Sequence, residues 1–191
     1  ELNNSSNANF KDKLTLFDSA MLLKNSSSLN VGGVADFLKD SALIIKDDSN
    51  ATINGALTVW NSGTIEFVDG EFSVNYGGIK IDKSNLDVEG EVRFNNSDTE
   101  LNNSSNANFK DKLTLIDSAM LLKNSSSLNV GGVADFTDSA LVVQNGSKVM
   151  FGNNFTMKNK ENGAEKSIII LDNGSEINVK GDFENHGVIY Y

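Results

Sequence analysis

Asn25-Ser26-Ser27-Ser28-Leu29-Asn30-Val31-Gly32-Gly33-Val34-Ala35-Asp36-Phe37 is the stretch whose reading decides the fold. Leu29 and Val31 alternate with polar neighbours, Ala35 and Phe37 do the same, and a Gly-Gly pair stands between them. Alternation at period two marks a β-strand with one face inward and one outward. Asn25-Ser26-Ser27 ahead of it are short polar side chains that bond their own backbone and favour a turn.

The pattern then recurs along the chain. Counterparts of Val31 stand at Phe10, Ile53, Val74, Val88, Phe109, Val130, Phe151 and Val179; from Phe10 the steps are 21, 22, 21, 14, 21, 21, 21 and 28 residues. Two positions earlier come Ala8, Leu29, Ala51, Phe72, Leu86, Ala107, Leu128, Val149 and Ile177, and six positions later Leu16, Phe37, Val59, Phe94, Leu115, Phe136 and Met157. Gly33, Gly55, Gly90, Gly132 and Gly181 form a column with Asp12, Tyr76, Asp111 and Asn153, read as a bend because Gly, Asn and Asp tolerate positive φ. An Asn/Asp-x-Ser turn precedes most units, as at Asn103–Ser105 and Asn145–Ser147. A third, less regular strand lies ahead of that turn, marked by Leu22, Ile44, Ile65, Phe67, Ile79, Ile81, Leu121, Val142 and Ile170. Over this period lies a longer one, because residues 1–37 recur at 100–136 with a single change, Phe17 to Ile116.

A unit of three short strands in about 21 residues has no way to bury its apolar side alone. Stacked coils do so, each strand pairing with its copy one turn later in a parallel ladder. The expected fold is therefore all-β: a right-handed, three-sided parallel β-helix, or β-solenoid, forming one segment over 1–191. About nine coils at the usual interstrand spacing give a rod roughly 40–45 Å long. Sides of about seven residues predict a pinch at the 14-residue step near Tyr76–Ile81 and a solvated excursion around Lys158–Lys166.

Composition agrees and narrows function. No Pro interrupts the ladders, and no Cys is present for a disulfide, a thiolate metal site or a Cys nucleophile. With 16 basic residues against 26 acidic ones the formal charge is −10, which argues against a nucleic-acid partner. No apolar run approaches a membrane span, so direct membrane insertion by this segment is not expected. No cofactor and no metal site is expected either. The ends at Glu1 and Tyr191 read as cut points of a longer protein.

The units Asn-Ser-Ser-Ser-Leu-Asn-Val-Gly-Gly-Val-Ala-Asp-Phe and Asn-Gly-Ser-Glu-Ile-Asn-Val-Lys-Gly-Asp-Phe resemble passenger domains of Gram-negative autotransporter (type V secreted) proteins, Asn-rich adhesins and vacuolating-cytotoxin-like passengers among them. The resemblance covers essentially the whole chain, but it is one of repeat style and carries no catalytic motif. It implies an extracellular, surface-exposed stalk, anchored in the full protein by a C-terminal outer-membrane barrel. Lack of Cys is similar to that family, whose passengers cross the periplasm unfolded. The function so implied is a non-enzymatic adhesin segment mediating attachment to a host-surface protein or glycan, or self-association. The alternative is the scaffold or receptor-binding part of a secreted toxin. A polysaccharide lyase or hydrolase is a distant third.

Four candidate sites emerge from the residues. Phe17, Leu38 and Trp60 follow the inward column by one position, so strict alternation places them outside as an apolar binding stripe. A bend at that corner would instead fold them inward. Asp47, Asp48, Asp69 and Asp82 offer stacked carboxylates to Ca²⁺, or else are Asx turns in which Asp replaces Asn. Arg93, the only Arg, has Thr58 and Thr114 assigned to its column, which is poor company for carboxylate chemistry. His186, the only His, reads as a turn residue.

Overall fold

The computed structural model describes residues 1–191 apart from 46, 48, 54–56, 61–63, 68–71, 76–77, 89, 161–166 and 173, and describes the backbone alone at 57–60, 64–67, 72–75 and 78. Among the described residues the chain forms 26 short strands and no helix. They assemble into three parallel sheets of nine, nine and eight strands, each strand inside a sheet pairing with the third one before it and the third one after. This is a three-sided parallel β-solenoid. The sheets are numbered here by their first strands: face 1 begins at Asn7–Phe10, face 2 at Lys13–Phe17 and face 3 at Ala20–Leu23.

Alternation does what the sequence asks of it. Leu29, Val31, Ala35, Phe37, Leu128 and Val130 are sealed inside, and the residues between them face out. The inward side chains form one apolar cluster running from Leu14 to Ile169. Phenylalanines stack along it: the Phe151 and Phe155 ring centroids are 4.2 Å apart, and those of Phe155 and Phe183 are 5.1 Å apart.

At the corners the Asn/Asp-x-Ser turns divide their labour. Asn25, Ser26, Asn103, Ser104, Asn124 and Ser125 take positive φ, the region short polar side chains tolerate. The serine that follows is buried and becomes a structural hydrogen-bonding unit. Ser105 Oγ accepts from the Ser84 N–H at 3.3 Å and donates to the Asn102 carbonyl at 2.6 Å. Ser126 and Ser147 continue that column, and Ser97, Ser118, Ser139 and Ser167 build another. Each buried hydroxyl thus satisfies a corner amide that the ladder leaves over.

Four expectations need correction. The glycine column is not left-handed: neither Gly33 nor Gly132 has positive φ. A Cβ on Gly33 would stand 1.9 Å from the Asp12 carbonyl oxygen, and one on Gly132 would stand 2.6 Å from the Asp111 carbonyl carbon, so glycine serves the close approach of successive coils. The third strand's markers are of mixed phase: Ile79 and Ile81 are buried, but most of the others are not. Leu23, Leu43, Ile45, Met120, Leu122, Leu141, Val143 and Ile169 are buried, while Leu22, Ile44, Leu121, Val142 and Ile170 face out. The run is apolar on both sides, so periodicity alone does not fix which side is in.

The third correction concerns the 14-residue step. No coil is shortened there: Phe72–Asn75, Gly78–Asp82 and Asn85–Val88 supply one strand to each face. Val74 pairs in register with Phe94, and Val88 with Phe67 and Phe109. The true unit is one side of about seven residues, and every side carries the same alternation. Dropping one side from the sequence period moves the motif to the neighbouring face and leaves the ladder intact. Val31 and Ile53 therefore stack on face 1 while Val130 lies on face 3 of the same core. Most of the excursion, 161–166, lies outside the described residues; strands at Phe155–Lys158 and Ile168–Leu171 flank it, and Ser139 reaches Ser167 across 28 residues where other coils take 21 or 22. The fourth correction, on the acidic cluster, belongs with the sites below.

Candidate functional site

Outward side chains of a solenoid are held in straight columns by ladder register, so a surface site is written one residue per coil. Phe17 pairs with Leu38 and Leu38 with Trp60 on face 2. Phe17 points into solvent with 60% of its surface exposed, and Leu38 is half-buried. The Trp60 side chain lies outside the described residues. Lys39 holds its ammonium 5.4 Å from the Phe17 ring centroid and 3.1 Å from Asp18 Oδ2. An apolar ring edged by an ion pair presents both contact area and polarity to a partner. In the copied segment Ile116 stands in Phe17's place, on face 1, between Asn95 and Thr137, with Lys158 next.

The carboxylate cluster does not assemble as expected. Asp47 follows a face 3 strand, whereas Asp82 ends a face 2 strand, one corner away. The cause is the seven-residue shift already described. Asp82 Oδ1 accepts from Asn103 Nδ2 at 2.7 Å, as an Asx ladder would have it. Asp48 and Asp69 lie outside the described residues. Among the described residues no three His, Cys, Asp or Glu side chains gather into a metal-ion site.

Arg93 points outward from face 1 between buried Val92 and Phe94. Its ladder neighbours are Ser73 and Thr114; Thr58, assigned to that column from sequence, sits on face 2 beside Lys80. His186 occupies the corner before the last strand, its Nε2 2.7 Å from Glu184 Oε1. That hydrogen bond holds the exposed Glu184 carboxyl below the ordinary carboxylate range.

Polar ladders fill much of the remaining surface. Asn129 donates to Asn108 Oδ1 at 2.9 Å and Asn108 to Asp87 Oδ1 at 2.5 Å on face 3, and Asn30 donates to Asn9 at 3.0 Å on face 1. Lys160, just before the excursion's undescribed part, reaches down two coils to grip Asp117 at 2.6 Å.

One surface feature escaped the sequence reading. Along the later half of face 2, Leu121, Val142, Ile170 and Tyr190 form an outward column, with Ala119, Ala140, Ile168 and Val188 beside them. Ile170 is 37% and Tyr190 55% exposed. Earlier on the same face those columns carry Lys80, Asp98 and Glu100, which share a shallow groove with Ala119 and Leu121. The available signal was the unbroken apolar runs Ala119–Leu122, Ala140–Val143 and Ile168–Leu171, the composition of parallel strands covered on both sides.

These features define the class: a parallel β-solenoid whose surface chemistry lies in outward ladders. Compared with protein-family models, with curated proteins and with solved structures, the chain gives no match.

Proposed function

We propose that this chain is a segment of a non-enzymatic, surface-exposed β-helical stalk that mediates attachment or self-association. In the full protein it would be extracellular, on a bacterial outer membrane and anchored there, in the manner of the autotransporter adhesins its repeats resemble. Its partners would be a host-surface protein or glycan, or further copies of itself. The observation that carries this reading is the outward column begun by exposed Phe17 and half-buried Leu38 on face 2, where neighbouring outward positions are mostly polar. A stiff rod holds such a column without an ordering cost, which is what a weak, repeated contact needs. Arg93 has Ser73 and Thr114 as neighbours, which speaks for a binding surface in preference to carboxylate catalysis.

Beads coated with the purified chain test this. They should adhere to epithelial monolayers above an albumin-coated control, and coating with the Phe17→Ser, Trp60→Ser double variant should lower the count while circular dichroism stays unchanged. Adhesion no better than albumin overturns the reading.

A further inference from the structure

We infer that the later half of face 2 is a contact between two copies of this chain, packed face to face and antiparallel about a two-fold axis. This deepens the self-association arm of the function proposed above and rests on it only for the rod. Four successive strands, Ala119–Leu122, Ala140–Val143, Ile168–Leu171 and Val188–Tyr190, present no charged residue among their outward positions. The chain carries a formal charge of −10, so two copies repel unless they meet where neither brings carboxylates. Asp98 and Glu100 stand immediately before this stretch on the same columns. A parallel pair in full overlap would set those carboxylates against each other. An antiparallel pair centred between the second and third of the four strands keeps Asp98 and Glu100 out of the overlap.

Shape supports the same arrangement. Outward bulk is uneven along the four strands: one column holds Ala119 and Ala140 and then Ile168 and Val188, and the other ends on Tyr190. A two-fold contact demands that one patch complement itself. Reversing one copy lays Ala119 opposite Val188 and Ala140 opposite Ile168, so small meets large on that column, while Leu121 meets Tyr190 and Val142 meets Ile170 on the other. At the flanking corner Gln144 falls opposite Asp172, an amide against a carboxylate. Two such sheets would pack about 10 Å apart, as in any sheet-on-sheet interface. The contact area is well short of the ~800 Å² per partner of a stable dimer, so the association is weak in solution and gains strength where rods are crowded.

Sedimentation equilibrium of the full 191-residue chain tests the inference. The expected result is a concentration-dependent monomer–dimer equilibrium. Val142→Asp and Ile170→Asp, each outward, should weaken it at least about tenfold, since each desolvates a carboxylate in an apolar contact. Val142→Thr, gentler on the fold, should weaken it less, and Met150→Asp on face 3 should leave it unchanged. The chain has no Cys, so Gln144→Cys and Asp172→Cys variants report orientation: mixed together, a short bis-maleimide should link 144 to 172. A chain that stays monomeric at millimolar concentration, a dimer indifferent to Val142→Asp and Ile170→Asp, or exclusive 144-to-144 linkage overturns the proposal. Beads that still adhere to cells when the chain is monomeric would leave the attachment reading standing and remove only this one.

Discussion

Residues 1–37 and 100–136 differ at one position, yet the same side chains live in different surroundings. Leu2, Ala8, Phe10, Leu16 and Met21 are only partly buried, whereas their copies Leu101, Ala107, Phe109, Leu115 and Met120 are at most 1% exposed. The first copy begins in the lowest described coil, and its strand Asn7–Phe10 pairs on one side only. The second copy is stacked between coils, Asn106–Phe109 pairing with Asn85–Val88 below and Ser127–Val130 above. The copies also stand on different faces. Asn7–Phe10 belongs to face 1 and Asn106–Phe109 to face 3, because the second lies fourteen strands further along the chain and fourteen is not a multiple of three. Burial in a solenoid is therefore a property of the neighbouring coil as much as of the residue, and any face accepts the same side.

That comparison can be broken by mutation. The largest effect is expected from a charge in a sealed stack: Val130→Asp should abolish cooperative unfolding, because an unpaired carboxylate would be buried. Val31→Asp should do the same, its position being as closed as its copy's, and a folded variant at either would refute the inward assignment. Next come the two phenylalanines. Phe109→Ala should cost about 3–5 kcal/mol in urea denaturation and Phe10→Ala less than about half of that, since Phe10 already touches water. Equal losses would mean that the lowest coil is closed in solution.

Gly132→Ala and Gly33→Ala sharpen the contrast from the other side. Both glycines sit over a lower coil, so both substitutions should destabilise by a similar ~1–3 kcal/mol despite the difference in core burial. Phe17→Ser and Ile116→Ser, outward on different faces, should each stay within about 1 kcal/mol. A larger loss at Ile116 would place it in the core. The smallest effect lies outside both copies. Glu184's carboxyl is held low by His186, so whatever it adds to stability is present above the usual carboxylate range and is lost as pH falls through the lowered value. The pair is exposed, so His186→Ala should return the Glu184 NMR titration to the ordinary range and leave thermal unfolding unchanged.

Much of this was legible beforehand. The inward columns Leu29–Val31 and Ala35–Phe37 follow from alternation and spacing, whereas for Phe17 alternation left an outward and an inward reading and only burial separates them. The outer apolar face was not legible, because Ala119–Leu122 and Ala140–Val143 are apolar at every position and carry no phase. Asp82's company was misread for a different reason: a sequence period of 21 residues says how far apart partners are, not on which face a motif lands after a seven-residue slip.

Sequence alone determined that this chain stacks into a three-sided parallel solenoid, since short alternating strands with self-capping Asn/Asp-x-Ser corners bury their apolar sides only against copies of themselves. Tertiary structure decided which face each motif occupies, which side of Ala140–Val143 is sealed, and why Gly33 has no side chain. Those matters turn on what the adjacent coil supplies some 21 residues away: a ladder partner, a packed column, or a carbonyl too close to admit a Cβ.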